Sequence, residues 1–163
     1  MKLVERFLKY VSFDTQSDSD SKTFPSTDKQ LVLLKYLLEE LISLGIEATM
    51  DDYGYVIGKL KSNIHKPIPR LAFIAHVDTS PDASGKNIKP RIINNYDGKE
   101  IILNPEHHIV LSPEKFPSLL NKVGDDLIVT DGTTLLGADD KLGVAQIMTL
   151  AEFLTENKEF PHG

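Results

Sequence analysis

The residues of this sequence best suited to do chemistry are a histidine and an aspartate two positions apart, in 71-LAFIAHVDTSPD-82. On an extended segment His76 and Asp78 leave the same face, about 6.5 Å apart along the chain. At that separation the imidazole can bind a metal ion through one nitrogen while the carboxylate accepts the proton on the other. Such a partner fixes the tautomer and raises the ring's basicity. The plainer reading is a strand-end histidine followed by a turn-starting aspartate before Pro81, and for an isolated His-x-Asp it carries the larger prior. A second group stands in 136-LGADDKLG-143, where Asp139 and Asp140 lie between a glycine and a helix start. The positive end of a helix dipole favours carboxylates there, and N-capping accounts for one of them. Two in a row, beside Gly137 and Lys141, exceed what capping requires. Taken together, the two groups predict a carboxylate-bridged metal site at the ends of two strands of one α/β sheet, where active sites of such sheets gather. Imidazole and oxygen donors suit Zn, Mn or Co. The chain has no cysteine, so thiolate sites and disulfides are excluded.

The elements that must position these groups can be read from periodicity. Leu3, Val4, Phe7, Leu8 and Val11 predict a short amphipathic helix over 2–12. A polar loop over 13–27 follows, ending in Thr27 with Gln30 three positions on, the pattern of a capping box. Leu31, Leu34, Leu38 and Leu41 then mark a second helix, which Gly45 stops. Strands are predicted over 46–50, 55–60 and 70–75, the last two joined as a hairpin through a loop bearing Pro67 and Pro69. The stretch 79–124 is long and weakly patterned, with five prolines, IILN (101–104) as a short strand and PEKFPSLL as a short helix. So long an excursion usually carries function or covers a site. LIVT (127–130) predicts another strand, and Val144, Ile147, Met148, Ala151 and Leu154 form the buried stripe of a last helix. The expected fold is α/β, a mixed sheet flanked by helices.

Composition bounds the rest. A length of 163 residues with 40% apolar side chains fits about one globular domain. A formal charge of −6 argues against nucleic acid or an anionic membrane surface as partner. The first helix is interrupted by Glu5, Arg6 and Lys9, so it is no signal-peptide core, and no run approaches a membrane span. A soluble, cytoplasmic protein is the expectation.

FIAHVDTSPDASGKN and VTDGTTLLGADDKLGVA, with RFLKYVSFDTQSD and the helix-entering PST, closely resemble the peptidase T family, tripeptide aminopeptidases among the co-catalytic zinc exopeptidases. The short H-x-D and ADDK-G motifs are shared with carboxypeptidases and aminoacylases. TSPDASGKNIKPRIINNYDGK and TDGTTLLGADDK are what point to peptidase T. The resemblance runs from Leu3 to Gly163 and implies an N-terminal portion of the catalytic domain spanning 1–163. It further implies that His76 ligates one zinc and that Asp78 is the catalytic aspartate orienting the imidazole. By the same resemblance Asp139 bridges two zincs, and Asp140 is a neighbour often joined to it by a cis peptide, not a ligand. The implied reaction is attack of a zinc-activated water on the scissile carbonyl of a short peptide.

In the family the general-base glutamate, its neighbouring glutamate ligand, a further carboxylate, a distant histidine and the lid domain, which often dimerises, all lie downstream of Gly163. No local substitutes present themselves. Glu39-Glu40 reads as solvated helix surface, and Asp51-Asp52 and Asp125-Asp126 as turns. His107-His108 reads as a loop pair, since neighbours on an extended chain point apart, and His65 and His162 read as surface residues. A catalytic zinc has three protein ligands, so the expectation is that this chain alone binds zinc weakly and hydrolyses no peptide. Two rivals remain. One is an aspartic dyad built on Asp78-Thr79-Ser80 and TDGT, which lacks the required glycine and leaves His76 idle. The other is a non-catalytic α/β fragment acting as a binding module, whose mark would be an exposed apolar face and self-association.

Overall fold

Three helices form where the apolar periodicity locates them. In a computed structural model that describes residues Met1–Gly163, α1 is Leu3–Val11, α2 is Asp28–Ser43 and α3 is Ala138–Glu156. Phe7, Tyr10 and Val11 of α1 are buried with Leu33, Leu34, Leu37 and Leu41 of α2, Ile46, and Val144, Ala145 and Met148 of α3. The predicted stripe of α2 is thus rotated, centred on Leu33, Leu34 and Leu37 rather than on Leu31 and Leu38. Gly45 ends α2 at φ 77°, a left-handed conformation that costs glycine little.

The strands are six: β1 Glu47–Met50, β2 Val56–Lys59, β3 Arg91–Ile93, β4 Ile101–Asn104, β5 Ile109–Leu111 and β6 Leu127–Val129. They form three separate two-stranded antiparallel pairs, β1–β2, β3–β6 and β4–β5. PEKFPSLL yields a 3-10 turn at Pro117–Lys122. The chain divides into two compact units, Met1–Pro81 with Gly137–Gly163, and Asp82–Leu136. The second unit holds β3 to β6 and buries Tyr96 and Ile101.

The single mixed sheet expected from the pattern is therefore not what forms. Residues 55–60 pair backwards with 46–50, because a tight turn between them satisfies itself: the Asp51 carboxylate accepts from the backbone N–H of Tyr53 and Tyr55. Closing that short loop costs less chain entropy than closing the proline-bearing one after it. The segment 70–76 is left extended without a ladder, making no backbone–backbone hydrogen bond. Leu71, Phe73 and Ile74 are 75%, 57% and 92% exposed. A strand needs neighbours to satisfy its N–H and C=O groups, and the one bridge nearby joins Gln16 to Thr79 in parallel.

Two other expectations give way to tertiary contacts. Thr27 makes no capping hydrogen bond; its hydroxyl donates to the Gln16 carbonyl at 2.8 Å, and Gln30 donates to the Ser26 hydroxyl at 3.0 Å. Glu40 is no solvated surface residue. Its Oε1 accepts from Arg6 Nε at 2.9 Å and its Oε2 from the Tyr10 hydroxyl at 2.6 Å. Arg6, 1% exposed, also donates to Thr149 Oγ1 at 2.9 Å and to Glu152 Oε2 at 3.2 Å, so one guanidinium joins all three helices. Burial, with the bond to Glu40, holds the Tyr10 phenol far above its ordinary value of 10.0.

Removing one partner of a buried ion pair strands the other charge. Arg6→Ala is expected to cost about 3 kcal/mol of unfolding free energy in denaturant titrations. Because the folded-state pKa of Tyr10 is raised, its contribution is complete below pH 10 and is lost as pH rises further. Tyr10→Phe should therefore flatten the loss of stability seen above pH 10.

Candidate metal centre

His76 and Asp78 stand at the end of the unpaired extended segment, and Asp139 stands at the entry to α3, all within the first unit. What holds 77–79 in place is the loop after α1. Thr15 Oγ1 donates to the Val77 carbonyl at 2.7 Å, Thr79 N–H donates to the Thr15 carbonyl at 3.1 Å, and Ser17 N–H donates to the Thr79 carbonyl at 2.9 Å. The entry to α3 is irregular. Gly137 is left-handed at φ 80°, Asp139 and Asp140 have non-helical dihedrals, and the peptide between them is cis. Gly143 is needed one turn on, since a Cβ there would collide with the Asp140 carboxylate.

The two predicted groups meet. His76 Nδ1 lies 3.1 Å from Asp78 Oδ1 and 3.2 Å from the Asp78 carbonyl, while Nε2 lies 3.1 Å from Asp139 Oδ1. An imidazole between two carboxylates is protonated on both nitrogens most readily. Partial burial opposes the charge, but Asp78, then Asp139, outweigh it and raise the His76 pKa above 6.5. The Nε2 proton occupies the direction in which a metal ion would be shared with Asp139. Two donors on one tetrahedral zinc lie about 3.3 Å apart, so the Nε2–Oδ1 separation of 3.1 Å fits a shared cation. The donor chemistry fits too, and Asp139, 94% exposed, has its second oxygen free to face a further ion. Two protein donors to one ion fall short of three, and no group of three or more His, Asp or Glu side chains that could hold a metal converges anywhere in the chain.

The other histidines lie elsewhere. His107 and His108 are exposed in the turn between β4 and β5, where the Asn104 carboxamide accepts from His107 N–H. The His162 backbone is tied to Asn63, and His65 is exposed. Asp78-Thr79-Ser80 offers no carboxylate dyad, because the partner of Asp78 is His76. Sequence reasoning missed Lys141. It is wholly buried beside the aspartates, its Nζ donating to the Phe13 carbonyl at 2.7 Å. Burial pushes its pKa down to about 8, against the pull of Asp14. The signal available was a lysine at a helical position facing the core, three residues before Val144.

Metal-free His76 should titrate above pH 6.5 in NMR, since its charged form is favoured below that pH and lost as pH rises through the raised value. Asp78→Asn removes the larger of the two carboxylate contributions and should move the midpoint down, toward or below the free-histidine value. An unchanged midpoint would mean the pair does not form.

No family model matches the chain. Curated relatives do. A peptidase T of Desulfitobacterium hafniense (strain Y51) is 55% identical over 161 residues, covering 99% of this chain and 39% of the relative. A peptidase T of Alkaliphilus oremlandii is 56% identical over 164 residues, covering 99% and 40%. The crystal structure of aminopeptidase PepT from Bacillus cereus matches with a TM-score of 0.63 and 27% identity, over 99% of this chain and 33% of that one. The chain thus spans about 40% of the length of the curated relatives it matches. No helix is long and apolar enough to cross a membrane.

Proposed function

We propose that this chain, which fits the N-terminal portion of peptidase T at about 55% identity along its whole length, is part of the catalytic domain of a zinc aminopeptidase. The substrate class is the tripeptide, shortened from its N-terminus, and the setting is cytoplasmic. The observation that carries the reading is the Asp78–His76–Asp139 array, whose outer nitrogen and carboxylate oxygen are spaced for one shared cation.

Zinc, when bound, supplies a Lewis acid that lowers the pKa of water and polarises a carbonyl. The chain's own residues do the rest of what is present. Asp78 accepts the Nδ1 proton of His76 and so leaves the Nε2 lone pair directed outward. Asp139 faces His76 Nε2 with one oxygen, and its other oxygen would be the donor to a second ion. A cation there would compete with the Nε2 proton of protonated His76, so its binding would weaken as pH falls below the raised His76 pKa. Peptide hydrolysis needs a general base and further ligands, and no side chain near His76 supplies them. The isolated chain is accordingly an incomplete centre: a weak zinc binder without peptidase activity, whose complete counterpart holds two zincs and forms any homodimer through other elements.

Zinc titration against a chromophoric chelator should give a Kd weaker than about 1 μM, lost at least tenfold further in His76→Ala, with no tripeptide hydrolysis by the 163-residue chain. Two tight sites with tripeptidase activity would overturn the incompleteness. Binding that is indifferent to His76→Ala would overturn the site.

A second reading, a fragment that associates rather than catalyses, is favoured by the exposed Leu71, Phe73 and Ile74. If it holds, light scattering will show the apparent mass rising with concentration, and Ile74→Lys will return the chain to a monomer. A wild-type chain that stays monomeric across the concentration range sets this reading aside.

A further inference from the structure

The metal-donor groups sit on two segments far apart in sequence, and a third segment connects them. Lys141, two residues beyond Asp139 and 0% exposed, donates from Nζ to the Phe13 carbonyl at 2.7 Å. Two residues on, Thr15, also 0% exposed, donates from its hydroxyl to the Val77 carbonyl at 2.7 Å, between His76 and Asp78. The Thr15 and Thr79 backbones are bonded at 3.1 Å, and Ser17 closes the clip with its N–H and its hydroxyl both on the Thr79 carbonyl at 2.9 Å. Two hydrogen bonds, linked through the covalent chain of residues 13–15, therefore lead from α3 to the carbonyl that separates the imidazole from its orienting aspartate.

The segment 70–76 has no ladder of its own, so nothing in regular structure sets where His76 stands relative to Asp139. We propose that Lys141 and Thr15 are positioning residues that set this separation, the buried ammonium tying the loop to the Asp139 turn and the hydroxyl tying the loop to the His76–Asp78 segment. Neither side chain is hydrogen-bonded to His76, Asp78 or Asp139. Lysine is suited to the task because three N–H donors on a long stem reach a backbone carbonyl that shorter donors in α3 would not. A buried ammonium is also costly unless bonded, so it holds its partner firmly. Threonine at 15 donates from a side chain whose χ1 is stiff. The inference rests on the metal-site reading and deepens it.

The test uses the full 163-residue chain with Thr15→Val, which keeps the volume and removes the hydroxyl, Thr15→Ser, which restores it, and Lys141→Met. Zinc affinity is read by chelator competition, and the His76 Nδ1 and Nε2 shifts are read in metal-free protein by long-range ¹H–¹⁵N NMR. Denaturant midpoints are taken alongside. Thr15→Val is expected to shift both His76 nitrogens and weaken zinc about tenfold while remaining folded, with Thr15→Ser returning both readouts to within about twofold of wild type. Lys141→Met should do the same where it folds; where it does not, the threonine pair decides. Loss of stability in Thr15→Val with unchanged His76 shifts and unchanged zinc affinity would make the clip merely structural and overturn the proposal. If the wild type shows no zinc binding that depends on His76, the metal-site reading fails by itself. The metal-free shifts then still accept or reject the bridge.

Discussion

A single guanidinium at the junction of three helices is the constraint on which the first unit depends. Arg6 is almost wholly out of water, and its buried charge is met there by Glu40 and Glu152, brought by α2 and α3. Desolvating these charges costs several kcal/mol for each ion, and their attraction offsets that only with good geometry and filled hydrogen-bonding positions. Here Thr149 and Tyr10 fill the remaining positions. The arrangement specifies as much as it stabilises. Apolar stripes on α1, α2 and α3 could pack at several rotations, but one rotation places both carboxylates on the guanidinium. That rotation explains why Leu33 and Leu37 are buried where simple periodicity chose Leu31 and Leu38.

The site inherits its geometry from this junction. The loop 13–17 begins where α1 ends, and α3 carries Asp139 and Lys141, so fixing α1 against α3 brings the loop within reach of the lysine. From there the clip on residues 77–79 delivers His76 and Asp78 to Asp139. The same organisation brings one imidazole and one carboxylate together without a third such group. Asp78 holds the Nδ1 side of His76 through its carboxylate and its carbonyl, which orients the ring.

The extended segment that bears the histidine is the place where the fold and the chemistry part. Its sequence is that of an inner strand, apolar on both faces, and its end carries the functional pair. Yet its backbone groups face no ladder, and Ile74 is 92% exposed. The curated relatives it matches are more than twice as long. In the 163 residues present, only the Gln16–Thr79 bridge and the loop clip steady its far end.

What the sequence determined by itself follows from local physics. Helix periodicity located α1, α2 and α3, the left-handed glycine ended α2, and hard donors without sulfur limited the metal chemistry. Those signals act within a few residues, where chain entropy is small and side-chain spacing maps directly onto a face. His76, Asp78 and Asp139 were legible as candidates from residue type and spacing, signals equally local in the chain. Only the tertiary structure decided which strand pairs with which, that Glu40 is buried against Arg6, that Thr27 serves Gln16 instead of capping its helix, and that Lys141 reaches Phe13. The three side-chain contacts join residues 34, 11 and 128 positions apart. Whether such a contact forms depends on the free energy of every competing partner, and that comparison exists only once the chain has folded.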